Sequence, residues 1–170
     1  MTVDFAFTAA AGLPDIPRIG VTFGVPKAMD TVEWFGRGPH ENMPDRKESA
    51  YVGHYAMGIA ALNDSHYVQN SELGYRTDVR RVALSGGGAR LAVHGDPLIC
   101  FNVWPWTAET LCDDAKPHPY QWAEAPYNTV NIDLTQFGAG GVNSWGAQPF
   151  DHAKPKSGRD YSYRFTLSPR

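Results

Sequence analysis

The feature that most constrains this chain is a strict alternation of apolar and polar residues in short runs. Val3, Phe5 and Phe7 alternate with Asp4, Ala6 and Thr8. Ile19, Val21 and Phe23 alternate next, and Tyr161, Tyr163, Phe165 and Leu167 alternate with Ser162, Arg164 and Thr166 near the end. A period of two sends successive side chains to opposite faces of an extended backbone, so each run reads as a strand with one buried face. Further strands are expected over residues 31–35, 76–84, 90–94, 97–103 and 129–134, and residues 49–57 read as strand or irregular. Strands two and three are separated by a short loop containing Gly and Pro, which usually joins an antiparallel pair.

Turn residues divide these runs. Ser85-Gly86-Gly87-Gly88 is a hairpin signal, and residues 136–146 form a glycine-rich loop. Residues 67–75 hold a polar loop. The one helix expected covers 107–114, about two turns, with Thr107 as cap, Glu109 at its positive end and Pro117 beyond it. At 170 residues, with 42% hydrophobic and 12% aromatic content, the chain can bury a core. Many short strands with one short helix imply an all-β fold, an antiparallel β-sandwich forming a single domain over residues 1–170.

The net charge of −3 gives no electrostatic case for nucleic acid or an anionic membrane. No apolar run is long enough to span a bilayer, and no signal-peptide pattern follows Met1. Cys100 and Cys112 lack metal-type spacing, so two free thiols in a cytoplasmic protein are expected.

The densest polar stretch follows the third strand: Trp34-Phe35-Gly36-Arg37-Gly38-Pro39-His40-Glu41-Asn42-Met43-Pro44-Asp45-Arg46. Gly36, Gly38 and Pro39 are expected to end the strand, because Gly permits positive φ and Pro fixes φ and lacks an N–H. Glu41, Asn42, Asp45 and Arg46 then read as loop anchors that tie down neighbouring backbone. This stretch resembles the signature of the last domain of glycoside hydrolase family 2 β-galactosidases, which some bacteria encode as a separate small chain. The family usually has Tyr where this chain has Met43. Residues 72–80, Glu-Leu-Gly-Tyr-Arg-Thr-Asp-Val-Arg, resemble a second block of that family, with Leu73 and Tyr75 in place of two asparagines. Residues 131–133 and the run Gly138 to Gly146 also match, with Val142 and Asn143 where two Asp are common. Ser157-Gly158 and residues 161–165 complete a likeness that covers nearly the whole chain. It corresponds to the C-terminal portion of a longer domain.

The resemblance implies part of the large sandwich shared with galactose mutarotases. It also implies a non-catalytic role: the family's acid/base, nucleophile and metal ligands for Mg2+ and Na+ are in an earlier barrel domain. The expected partners are that catalytic barrel domain or large chain, a galactoside such as lactose, and further copies of this chain as a homo-oligomer. No catalytic residue, metal site or cofactor is expected within the chain itself.

The residues themselves are compatible with this. A retaining glycosidase needs two carboxylates about 5–5.5 Å apart. Glu41, Asp45, Glu72, Asp78, Asp96 and Asp133 are candidates, and each reads better as a loop or turn anchor. His40-Glu41 and His94-Gly95-Asp96 lack zinc spacings. Residues 138–141 do not open a helix as a phosphate loop would, and Ser144 has no nucleophile elbow. Trp34, Trp104, Trp106 and Trp122 lie in or beside strands and read as core. Trp145 lies between glycines on a loop, where an indole can stack on a pyranose and donate its N–H. The resemblance implies that it reaches into the substrate pocket, so Trp145 is the candidate substrate-binding residue. Two other readings remain. A free-standing carbohydrate-binding or mutarotase-like isomerase module would need His40, His54 or His94 to converge with Glu41 or Glu72. A purely structural oligomerisation domain would bury Trp145.

Overall fold

The computed structural model describes residues 1–63, 73–141, 143 and 145–169. Eight strands run through them: β1 (Thr2–Thr8), β2 (Arg18–Pro26), β3 (Thr31–Gly38), β4 (Tyr51–Gly58), β5 (Arg76–Gly86), β6 (Ala89–Trp104), β7 (Tyr127–Gln136) and β8 (Asp160–Pro169). Two one-turn helices, α1 (Ile59–Leu62) and α2 (Ala108–Leu111), sit in connections. All the strand pairs are antiparallel, in the order β1-β8-β6-β5-β3-β4, with β7 also beside β6 and β2 beside β7.

The organising element is β6, which is sixteen residues long. Its first part, from Leu91 to Asp96, pairs with β8, and its last part, from Cys100 to Trp104, pairs with β7. β5 follows its other edge. The sheet therefore divides at β6 into two wings, β8–β1 and β7–β2. The wings face each other: the Tyr163 hydroxyl on β8 donates to the Ile132 carbonyl on β7 at 2.6 Å. Phe5, Val21 and Phe23 pack against the same core as Ile132 and Phe165. This is the expected antiparallel sandwich. Its centre holds Val32, Trp34, Val82, Val93, Phe101 and Val130, all 2% exposed or less. Each such side chain contributes about 1.5–3 kcal/mol by leaving water.

Several local expectations change. β2 and β3 follow each other in the chain but do not pair. β2 lies against β7, while β3 lies between β4 and β5. The two sequence segments 90–94 and 97–103 are one continuous strand. Residues 49–57 are largely strand, running to Gly58 before α1 begins. The expected helix over 107–114 is a single turn, with the Thr107 hydroxyl accepting from the Thr110 N–H at 3.3 Å. Most of the polar loop expected at 67–75 lies outside the described residues.

β3 ends at Gly38, just before Pro39, as expected, but it runs through Gly36. Neither has positive φ. Close approach requires them instead. A Cβ on Gly36 would sit 2.6 Å from Val79 Cγ2 and 2.8 Å from Val79 Cα, and one on Gly38 would be 2.9 Å from the rings of Trp34 and Tyr55.

Candidate functional site

The loop between β3 and β4 ties three other segments together. Asn42 is fully buried. Its Oδ1 accepts from the Thr77 N–H at 3.0 Å and the Thr77 hydroxyl at 2.6 Å, while its Nδ2 donates to the His40 carbonyl at 3.0 Å. The Glu41 carboxylate accepts from the Gly74 N–H at 2.8 Å. Gly74 has φ +68, so a side chain there would be strained. Arg46 and Met43 close the loop through paired main-chain hydrogen bonds of 2.9 and 3.3 Å. Asp45 receives the glycine-rich loop after β7. Its two oxygens accept from the Ala139 and Gly140 N–H groups, each at 2.8 Å. A Cβ on Gly138 would lie 2.5 Å from the Asp45 carboxyl carbon, so only glycine lets the loop dock this closely.

That docking sets the position of Trp145. Beyond Gly140 the chain turns back on itself, with the Gly141 N–H donating to the Ala147 carbonyl at 3.2 Å. Inside the turn, Asn143 Oδ1 accepts from the Trp145 N–H at 2.9 Å and the Ala147 N–H at 3.3 Å. Short polar side chains commonly stabilise turns in this way. The indole itself projects into solvent, 91% exposed. An exposed Trp145 is what a ligand or partner contact needs. It withdraws the one observation that would have favoured a purely structural oligomerisation domain. Val142 and Ser144 lie outside the described residues.

Two other carboxylates singled out in the sequence, Asp78 and Asp133, are held by cations. Asp78 sits in a bulge of β5 at φ +52. Its carboxylate meets Arg37 Nε at 2.6 Å and Lys47 Nζ at 3.0 Å. Burial alone would raise its pKa, but hydrogen bonds and charge from Arg37 and Lys47 outweigh burial and lower it. A depressed carboxylate contributes stability above its unfolded pKa, about 3.9, and loses it as pH falls through the folded value. The thermal midpoint is therefore expected to drop more steeply below about pH 4 in the parent chain than in Asp78→Asn. Parallel slopes from acid titration followed by circular dichroism would contradict this.

Asp133 lies 2.6 Å from Arg18 Nη2, and Arg18 also donates to Asn102 Oδ1 at 2.8 Å. Burial raises the Asp133 carboxyl, against the pull of Arg18. Cys100 is next to this group. Burial, and then the charge of Asp133, push its thiol up to about 12, which leaves it protonated and inert at neutral pH. Asp96 is exposed on β6, and Glu72 lies outside the described residues.

The histidines do not converge. His40 Nε2 pairs with the Ser49 hydroxyl at 3.0 Å, His54 stacks on Phe35 at 4.4 Å, and His94 stands on β6 opposite Arg81. None bonds to Glu41, so the isomerase arrangement does not form among the described residues. There too, no group of three or more His, Cys, Asp or Glu side chains is placed to hold a metal ion. No described helix is long and apolar enough to cross a membrane.

Residues 1–167 match the family described as "Beta galactosidase small chain". This chain belongs to that family. It is 31% identical to the "Beta-galactosidase" of Priestia megaterium (strain DSM 319 / IMG 1521) over 99% of its own length and 16% of that protein. It is 37% identical to the "Beta-galactosidase" of Vibrio cholerae over 78% of its length and 12% of that protein. It is also 34% identical to the "Beta-galactosidase" of Arthrobacter sp. (strain B7) over 82% of its length. The chain thus spans about a sixth or less of the curated relatives it matches.

Where this chain departs from the family signature at positions 43, 73 and 75, the residues present are buried. Met43, Tyr75 and Cys100 share one buried cluster, and Met43 Sδ accepts from Gln136 Nε2 at 2.8 Å. The ring that the signature has at 43 is absent, and a ring at 75 occupies the same cluster. Leu73, the other replaced asparagine, packs with Trp104, Leu111 and Trp122. Trp34, Trp104 and Trp122 are buried as expected, but Trp106 is only half-buried. Sequence reading identified Asp45 as an anchor but not what it anchors. It also missed the turn-holding role of Asn143, which the spacing from Asn143 to Trp145 could have suggested.

Proposed function

We propose that this small chain is a non-catalytic part of a β-galactosidase that supports a catalytic barrel and lends Trp145 to the pocket receiving a terminal β-galactoside such as lactose. The carrying observation is the 91% exposed indole of Trp145 on a loop pinned by Asp45 and Asn143. An indole held out in this way is positioned to be covered by a sugar and a partner surface. Its face suits the C–H side of a pyranose, and its N–H can donate. The barrel, fused or associated, would supply the acid/base, the nucleophile and the Mg2+ and Na+ sites. A partner surface is available on edge strand β4, where Tyr51 and Val52 are exposed. The free thiols of Cys100 and Cys112 suit a reducing cytoplasm.

The test is hydrolysis of an activated β-galactoside. The chain alone is expected to give no turnover. Mixed with the catalytic remainder of a relative that lacks its own small-chain region, it is expected to restore activity. Turnover by the chain alone that disappears in Glu41→Gln or Glu72→Gln would overturn the non-catalytic reading.

A further inference from the structure

A cavity of about 390 Å3 opens beside the start of β7, lined by Trp106, Lys27, Asp30 and Glu124, with Asn63 and Asn128 in its wall. Its size falls within the usual range for small-molecule sites, about 300–1,000 Å3. Trp106 is fixed there. Trp122 meets its ring edge-on at 5.1 Å, and the Thr129 hydroxyl donates to its carbonyl at 2.7 Å. The wall is equally fixed. Asn63 Nδ2 donates to the Ile59 and Val103 carbonyls, both at 2.7 Å, and Asn128 Nδ2 donates to the Lys27 and Met29 carbonyls. The segment carrying Lys27 and Asp30 is therefore held in place by a buried amide. At the rim, Lys27 Nζ lies 2.8 Å from Glu124 and donates to the Pro105 carbonyl. The Asp30 carboxylate accepts from the Thr31 hydroxyl through Oδ1 at 3.1 Å.

We propose that this cavity is a second carbohydrate subsite, taking one or two neutral pyranose units. A sugar offers a C–H face for an aromatic ring and vicinal hydroxyls that both donate and accept. The cavity offers a rigid indole, two carboxylate acceptors and one ammonium donor. Other ligand classes fit less well. The two carboxylates disfavour an anion, Lys27 already occupies the cation position beside Glu124, and an apolar molecule would strip water from three charges without replacing it. The subsite is separate from Trp145. Thr129, bonded to Trp106, and Gln136, where the Trp145 loop begins, are at opposite ends of β7. At a rise of about 3.3 Å per residue these two anchor points are about 23 Å apart.

The experiment follows the indole Nε1–H signals of the 15N-labelled full chain, with Trp106 assigned through Trp106→Phe. Methyl β-galactopyranoside, lactose and methyl α-glucopyranoside are titrated in turn. A saturable shift of the Trp106 signal at millimolar sugar is expected. It should persist in Trp145→Ala, and its midpoint should rise about tenfold or more in the double variant Asp30→Asn, Glu124→Gln. Both altered side chains are exposed, and the rest of the spectrum reports whether the fold is intact. No saturable Trp106 shift with any of the three sugars overturns the proposal. So does a shift unchanged in the double variant, or one that vanishes in Trp145→Ala. Failure of the Trp145 contact would be read separately, in reconstituted activity.

Discussion

Trp145→Ala is expected to leave the stability of the chain within about 0.5 kcal/mol of the parent while markedly weakening galactoside turnover in a complex with a catalytic barrel. The indole is 91% exposed, and the loop below it is held by main-chain and side-chain bonds that do not involve the ring. Removing the ring therefore leaves no cavity, whereas a buried Trp→Ala would cost about 3–5 kcal/mol. Losing one aromatic contact with the sugar should cost on the order of 1–3 kcal/mol, about 5- to 150-fold in kcat/KM. Thermal midpoint and reconstituted kinetics on the same variant separate the two roles. A large fall in midpoint with unchanged kinetics would make Trp145 a structural residue and leave this chain without an assigned ligand contact.

Asn42→Ala is expected to be the most damaging change in the β3–β4 loop, at about 3–5 kcal/mol. The substitution removes an acceptor that serves two donors on Thr77, itself 2% exposed. Each buried donor left without a partner costs about 1–3 kcal/mol, and the His40 carbonyl loses its donor as well. Adding Thr77→Val to this variant removes one orphaned hydroxyl and should recover part of the loss, a non-additivity that a double-mutant cycle reads directly. Urea denaturation gives each corner of the cycle. A cost below about 1 kcal/mol, or strict additivity, would show that Asn42 does not join the loop to β5. The same logic explains the density of polar residues at 40–46. Glu41, Asn42 and Asp45 each satisfy main-chain N–H groups of a distant segment, where water would otherwise be needed.

Much of this was legible locally. β1, β2 and β8 follow from alternation because a half-buried strand must place every second residue in the core. The hairpin between β5 and β6 follows from three glycines, all with positive φ in the structure. Trp145 could be located on a loop from its flanking glycines. Other features escaped local reading. Gly36 looks like a turn residue until Val79 is seen pressed against it. Trp106 resembles its buried neighbours in sequence, and its half-exposure depends on where Trp122, Lys27 and Glu124 come to rest.

The sequence by itself determined the all-β class, most strand positions, the anchoring character of residues 41–46 and the family, because each depends on residue type, period or motif within a short window. Tertiary structure alone decided that β2 joins β7 instead of its sequence neighbour β3, that β6 is one strand serving both wings, and that Asp45 carries the Trp145 loop. These outcomes are pairings between residues 25 to 118 positions apart in the chain. Their selection rests on which faces bury the most apolar surface together and which main-chain groups remain to be satisfied, and no local pattern encodes that competition.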